Sequence, residues 1–333
     1  MSDLLGPAEV RALLADPEAS ERHSPLQGDP LLAIDLRGSA GADPVAAASL
    51  LATLPCVSVA LLDAGAQRSA SGLVEAVDAV VDSQAALEAI ATRTREHPLA
   101  SVALVQLLRL GEGLSRSNAL VAESLVYSTL QSGPEFRSWL ASRPTPKRPA
   151  PASGPAVRIE RSGSRLELTL DRPEKRNAYS VAMRDGCCEG LRLALADPTL
   201  EVVLRGAGPD FCSGGDLDEF GSLPDPATAH AIRTSRSAAA LLAACASRAR
   251  AELHGACVGA GVELPAFCGH VSARADATFR LPELTMGLVP GAGGTVSLPR
   301  RIGRQRTASF ALAGEVIDAR TAFAWGLVDA IVP

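Results

Sequence analysis

Two glutamates stand where glutamate is unfavourable. Glu263 closes the run "GACVGAGVE", and Glu283 sits in "FRLPELTMG", each among apolar neighbours. A buried carboxylate with no partner is costly, so two of them in such settings need a reason. Two carboxylates facing one pocket can divide the work of a general base and a general acid. The plainer alternative is that they cap helices or pair with Arg300, Arg301 or Arg304.

Glu263 belongs to one of two glycine-rich turns, and Glu283 lies twenty residues further on. "GAGPDFCSGGDLDEF" (206–220) follows the strand-like "EVVLR", and "HGACVGAGVEL" (254–264) follows "RAEL". Neither carries the Lys-Ser or Lys-Thr pair of a phosphate loop, nor the glycine spacing and distal acid of a dinucleotide fold. What remains is either tight packing of layers or a pair of backbone N–H groups aimed at a ligand oxygen. Small residues allow the second by removing the obstructing side chain. Each such donor is worth roughly 3 kcal/mol where negative charge develops. The start of a helix would also favour the ionised form of Glu263.

The bulk numbers set the frame. The chain has 333 residues, with 32 basic and 37 acidic side chains for a net charge of -5, so nothing electrostatic points to nucleic acid or an anionic membrane. Seven cysteines follow neither a disulfide pattern nor a metal knuckle, which reads as a reduced, cytoplasmic protein without a structural metal. No uninterrupted apolar run is long enough for a membrane span, and the first twenty residues lack a signal-peptide core. His254, at a strand end, reads as a turn or packing residue.

The elements that must position these groups fall into four stretches. Residues 1–70 form a small α/β piece, with strands at "LLAIDL" and "VSVALL" and a helix at "PVAAASLLATL" between them. Residues 71–140 are helical, with long apolar stripes that need a large partner surface. Residues 141–156, "ASRPTPKRPAPASGPA", read as a stiff linker. From 157 to 333 the pattern is a hairpin, "AVRIE" and "RLELTL", followed by alternating helices and strands in an α/β layered arrangement. Asn177 and Ser180 precede one helix, and "TAHAIRTSRSAAALLAACASR" reads as one long helix.

Residues 157–333 resemble the core of the enoyl-CoA hydratase/isomerase (crotonase) superfamily. The matching pieces are "LTLDRPEKRNAYS", "VVLRGAGPDFCSGGDLDEF", "HGACVGAGVELPAFCG", "FRLPELTMGLVPGAGGTVSLPRRIG" and "LAGEVIDARTAFAWGLVDAIVP", in family order. The resemblance implies a spiral of ββα units. It implies an oxyanion hole for a CoA thioester from the N–H groups of Gly215 and Ala260, with Ala260 standing where the family usually has glycine. It puts Glu263 and Glu283 on the positions that activate water and handle the α-proton. Lys175, Asn177 and Ala178, with Gly214, Asp216 and Leu217, fall on the segments that run along the CoA. Leu281 and Pro282 would help hold Glu283, and "VPGAGG" (289–294) would shape the acyl end.

The reaction so implied is reversible hydration of a 2,3-enoyl-CoA. Double-bond isomerisation, thioester hydrolysis and a non-catalytic accessory role are the alternatives. No tightly bound cofactor is implied, since coenzyme A arrives as part of the substrate, and the family's habit is a homo-oligomer, a trimer or dimer of trimers. Two departures, Pro265 inside the early helix and Gly269 after Cys268, bear on which substrate is used.

Family members ordinarily continue past "GLVDAIVP" with helices that cover the site. Here "GLVEAVDAVV" (72–81) echoes that phrase, and the helices after it resemble the closing ones, with Glu123, Glu135, Phe136, Arg143 and Pro144 fitting their outline. Such an order arises by circular permutation or from a degenerate tandem copy of which 30–70 is a remnant. Either origin leaves one active site per chain.

Overall fold

The computed structural model describes residues 4–38, 51–63, 72–144, 154–222 and 225–333. The chain begins with four short parallel strands, β1 (Leu4–Leu5), β2 (Leu31–Asp35), β3 (Val57–Leu61) and β4 (Ala79–Val81), laid side by side in sequence order. Alternation along β2 decides which way each side chain goes. Leu31 and Ala33 face the main core, while Leu32 and Ile34 join a second cluster with Val10, Leu51 and Val77. The helix expected over "PVAAASLLATL" lies mostly outside the described residues.

Four helices follow, Gln84–Glu96, Pro98–Gly111, Arg116–Gln131 and Pro134–Ser142. Their starts are written in the sequence. Ser83 and Ser115 accept from the N–H groups of Ala86 and Asn118, and prolines open the other two. Glu135 reaches back to the N–H groups of Leu99 and Ala100, closing the start of the second helix.

The second half builds a six-stranded sheet from β5 (Val157–Ser162), β6 (Arg165–Leu170), β7 (Glu201–Gly206), β8 (Ala249–Leu253), β10 (His270–Arg274) and β13 (Ala330–Val332). A three-stranded sheet of β9 (Ala256–Val258), β11 (Thr278–Arg280) and β12 (Ile317–Asp318) lies beside it. The β5–β6 hairpin is antiparallel, and the rest of the larger sheet is parallel. Short β-turn-β pieces separated by helices wind the chain into a spiral. The two echoing phrases do the same job twice, since Ala79–Val81 and Ala330–Val332 each add an edge strand parallel to its neighbour.

The four helices pack on the core of their own chain. A single apolar cluster runs from Val57 and Leu104 through Phe211 to Leu298 and Val328. Polar clamps fix the join. Arg304 donates to the carbonyls of Glu75 and Val77, and Arg300 to that of Leu114.

One element differs from its sequence reading. The long helix expected over 228–248 breaks into Pro226–Ser235 and Ala238–Cys245. Arg236 leaves helical geometry, and the hydroxyl of Ser237 accepts from Ala240 N–H at 3.1 Å to start the second piece. Serine competes with the helical backbone for its own hydrogen bonds, so an internal "SRS" is a natural break. The first piece contributes Ala229, Ile232 and Arg233 to the cavity described below.

Candidate active site

The spacing between the two glutamates comes from strand register. β9 and β11 are parallel neighbours with Val258 opposite Arg280, so the chain leaves both strands at the same end of the sheet. One exit becomes the helix Ala260–Glu263, the other the 3₁₀ turn Glu283–Met286. Pro265, which has no N–H to give, ends the first helix and passes it into a short 3₁₀ turn over Pro265–Phe267. The Glu263 carboxylate is thereby set one turn from a helix start.

Gly259 brings the acids together. It adopts φ +49°, a conformation open to glycine, and a Cβ built on it would stand 2.4 Å from Glu283 Oε1. Its carbonyl accepts the N–H of Glu263 at 2.9 Å. Glu263 is 2 % exposed and Glu283 8 %, and both line one cavity of about 740 Å³.

Their environments differ. Glu263 Oε2 accepts N–H groups from Ala292 at 2.7 Å and Gly294 at 2.8 Å. Glu283 Oε2 is buried with no hydrogen-bond partner. A third carboxylate joins them from the N-terminal half. Glu123, in the helix Arg116–Gln131, accepts Gly293 N–H at 2.7 Å, Thr295 N–H at 3.0 Å and the Thr295 hydroxyl at 2.6 Å. Burial pushes all three above the ordinary carboxylate range, Glu123 to about 7 and Glu283 to about 8. Glu263 is raised well above its usual value by burial first, then by the charges of Glu283 and Glu123, while its two N–H donors act the other way. Burial and mutual repulsion both work against all three being ionised together, which favours a proton held within the cluster near neutral pH.

The two glycine turns meet. Cys212 and Cys257 pair through their backbones as an isolated parallel β-bridge, so the stretch leading to Gly214 and Gly215 runs beside β9. Gly214 has φ +91° and passes close to the Val258 carbonyl. Ala260 is the first residue of its helix, where an N–H has no acceptor within the helix. Among the described residues, neither Gly215 N–H nor Ala260 N–H donates to a backbone carbonyl outside the regular elements. Gly215, Ala260 and both glutamates border the same cavity.

Of the remaining residues singled out in the sequence, Gly214, Asp216 and Leu217 line this cavity, whereas Lys175, Asn177 and Ala178 are not among its lining residues and sit in the loop tied to the first glycine turn. Ser213 N–H donates to the Arg176 carbonyl and Tyr179 N–H to the Gly214 carbonyl, tying the 175–179 loop to the first turn. Lys175 bonds Asp216 at 2.9 Å and Asp218 at 3.1 Å, and those carboxylates keep its ammonium charged. Asp216 caps the turn Leu217–Glu219, and Leu217 is partly exposed at the cavity edge. Ala178 is half-buried in the loop. Asn177 is different: it is fully buried, its Oδ1 accepts from Arg172 N–H, and its Nδ2 donates to the carbonyls of Ala207 and Asp210. Its side chain is used up in holding the loop at φ +54° and has nothing left to offer a ligand. His254 bonds the Gly208 carbonyl, a turn contact.

The cavity also has walls away from the glycine turns, of which the sequence marks Phe136 only as part of the helices' outline. Phe136, Trp139 and Phe220 form a stack of rings over one end, joining the N-terminal helices to the first glycine turn. Tyr127, Ile232 and Arg233 line another stretch. Glu123 stood out only as one feature of the helices' outline; no local signal told that it reaches a turn 170 residues away. Among the described residues no cluster of His, Cys, Asp or Glu has the makings of a metal site, and no helix is long and apolar enough to cross a membrane. All seven cysteines are free and buried.

A spiral core with paired acids beside two glycine turns defines a class, and comparison with known proteins names it. The Enoyl-CoA hydratase/isomerase family model matches residues 160–333, and the chain belongs to that family. It is 36% identical over 176 residues to 2,3-dehydroadipyl-CoA hydratase of Escherichia coli, covering 53% of this chain and 68% of that protein. It is 37% identical over 172 residues to mevalonyl-coenzyme A hydratase of Aspergillus fumigatus, covering 50% of this chain and 62% of the relative. The chain thus spans roughly two thirds of the length of these relatives. The crystal structure of an enoyl-CoA hydratase from Thermoplasma volcanium superposes with a TM-score of 0.50 at 33% identity, over 54% of this chain and 72% of that one. The fold is the crotonase fold.

Proposed function

We propose that the protein hydrates a 2,3-enoyl-CoA to the 3-hydroxyacyl-CoA, reversibly. The observation that carries this reading is the pair Glu263 and Glu283 in one buried cavity, with different hydrogen-bonding surroundings. The N–H groups of Gly215 and Ala260 take the thioester oxygen, which draws electron density from C3 and steadies the enolate-like charge.

Glu263, whose two N–H donors favour its anion, holds a water and removes its proton as the oxygen bonds to C3. Glu283, whose unpartnered oxygen favours the protonated form, delivers a proton to C2. Atoms balance as one water added across the double bond. By the family resemblance the addition is syn, with both acids acting on one face of the double bond. The 175–178 loop and the 214–217 turn carry the CoA, with Lys175 held by Asp216 and Asp218 at its edge. Coenzyme A enters only as part of the substrate. By the same family reading the protein works in the cytoplasm as a homo-oligomer, a trimer or dimer of trimers.

The test is incubation with a medium-chain 2-enoyl-CoA and a 3-enoyl-CoA, followed by mass analysis and chromatography. Gain of one water by the 2-enoyl ester supports the reading. Conversion of the 3-enoyl ester without mass change points to an isomerase, and release of free CoA to a hydrolase. Inertness toward both, without CoA binding, leaves only an accessory role.

A further inference from the structure

Among the described residues Arg233 has no carboxylate partner, and it borders the cavity that holds the two glutamates. Its guanidinium sits 4.7 Å over the ring of Tyr127 and bonds only neutral groups: the Ser124 hydroxyl at 3.3 Å, the Gln131 amide oxygen at 3.3 Å and the Ser128 hydroxyl. The nearby cations are served otherwise. Arg236 and Arg184 both pair with Asp185 and Lys175 pairs with Asp216; Arg137 also borders the cavity but is exposed to solvent, in the first turns of its helix, and donates to the carbonyls of Ser132 and Gly133. Glu123 acts on Arg233 only through space, its own oxygens being taken by Gly293 and Thr295. Burial lowers the pKa of Arg233, so the charge is under-compensated where it stands.

Its position relative to the acids follows from one aromatic ring. The Tyr127 ring lies against Gly291, where a Cβ would come within 2.3 Å of it, and the next residue, Ala292, donates to Glu263. Arg233 is therefore linked to the reacting end through Tyr127 and the 291–292 backbone, all of which border the same cavity. Tyr127, Gln131 and Arg233 all border the cavity that holds Glu263 and Glu283. An acyl chain whose C2 and C3 meet the two acids has this guanidinium within reach of its far end.

We propose that the substrate's acyl chain carries a carboxylate at its distal end, and that Arg233 receives it, with Tyr127 and Gln131 shaping the subsite. A carboxylate matches the planar fork of arginine and supplies the missing negative charge. The long bonds to Ser124 and Gln131 are easily exchanged for it. This proposal rests on the enoyl-CoA reading above.

The experiment compares two 2-enoyl-CoA esters of equal chain length, one ending in a methyl group and one in a carboxylate. Turnover of each is followed by mass gain. Binding of the two matching saturated esters, which cannot be hydrated, is measured by calorimetry. The proposal expects at least a tenfold preference for the carboxylated ester in both kcat/KM and Kd, largely kept in Arg233→Lys and falling to within threefold in Arg233→Gln. A ratio is read in each variant, so a general loss of activity does not obscure it. Turnover of both esters without preference, or a preference that survives Arg233→Gln, overturns the proposal and leaves the hydratase reading standing. A binding preference without turnover of either ester overturns the hydratase reading and supports the subsite. Binding of neither ester overturns both.

Discussion

Glu123 and Glu263 divide one turn between them. Gly293 N–H points to the carboxylate of Glu123 and the very next N–H, of Gly294, to that of Glu263. One acid comes from the helical half of the chain and the other from the glycine turn of the core. The orientation of Glu263 therefore depends on a residue 140 positions earlier, through the backbone both hold.

Replacing Glu123 should show this dependence. In Glu123→Ala the N–H groups of Gly293 and Thr295 lose their buried acceptor, at about 1–3 kcal/mol each. The turn loosens, and kcat falls along with the midpoint of urea unfolding. Glu123→Gln keeps an acceptor for one side of the turn and recovers part of both. A full-activity Glu123→Ala protein would mean that the turn holds Glu263 without help.

Each cavity glutamate should matter separately. Glu263→Gln and Glu283→Gln conserve shape and remove only the exchange of protons, so each is expected to lower kcat by 10²-fold or more while changing KM little. Steady-state kinetics on a 2-enoyl-CoA measures both. Unimpaired turnover in either variant removes that glutamate from the chemistry.

Stability should fall with rising pH across the range where the buried acids titrate. Glu123 and Glu283 have ordinary values of 4.5 and folded values of about 7 and about 8, and Glu263 moves in the same direction. Between those limits the folded state binds more protons than the unfolded chain, so the slope of unfolding free energy against pH is negative. Their contribution is whole below about pH 4.5 and lost as pH climbs through 7 to 8. Thermal melts of Glu283→Gln against the unsubstituted protein over pH 5 to 9 isolate the effect: the two curves converge toward alkaline pH if the sign is reversed, and diverge in the variant's favour if it is right.

Gly259 tolerates no side chain. Its φ of +49° and a would-be Cβ 2.4 Å from Glu283 Oε1 make Gly259→Ala both strained and obstructive. Activity should drop by two orders of magnitude or more, whereas Gly113→Ala, with nothing within 4 Å of the added carbon, should leave it unchanged. Equal activity in the two would show that Glu283 can move aside without consequence.

Asn177 is expected to act on binding through the loop it holds. Asn177→Ala removes three buried hydrogen bonds, roughly 1 kcal/mol each, and should raise KM for the CoA ester as the 175–178 loop loosens. A destabilised protein with unchanged KM would confine Asn177 to folding.

Much of this site was legible because its chemistry is local in sequence. The glycine turns, the two glutamates and the strand that precedes each are contiguous phrases, and those phrases carry the family likeness. Register supplied what the phrases left open, placing Val258 beside Arg280 and so Glu283 against Gly259. Contacts across long separations had no local signature. Arg233 in "HAIRTSRS" looks like any helix-surface arginine until Tyr127 is found beneath it, and nothing local in the sequence told that the Asn177 amide is spent on holding its own loop. The break at Arg236 was hidden by an apolar pattern that continues on both sides of it.

The most direct test of the two-acid account is isotopic. Incubating the protein with a 2-enoyl-CoA in deuterium oxide enriched in ¹⁸O, locating the labels by mass fragmentation and reading the relative configuration at C2 and C3 from the vicinal proton coupling, follows oxygen and proton together. The account predicts one ¹⁸O at C3 and one deuterium at C2, on the same face. Deuterium appearing without ¹⁸O, or ¹⁸O entering the thioester carbonyl instead of C3, would contradict it.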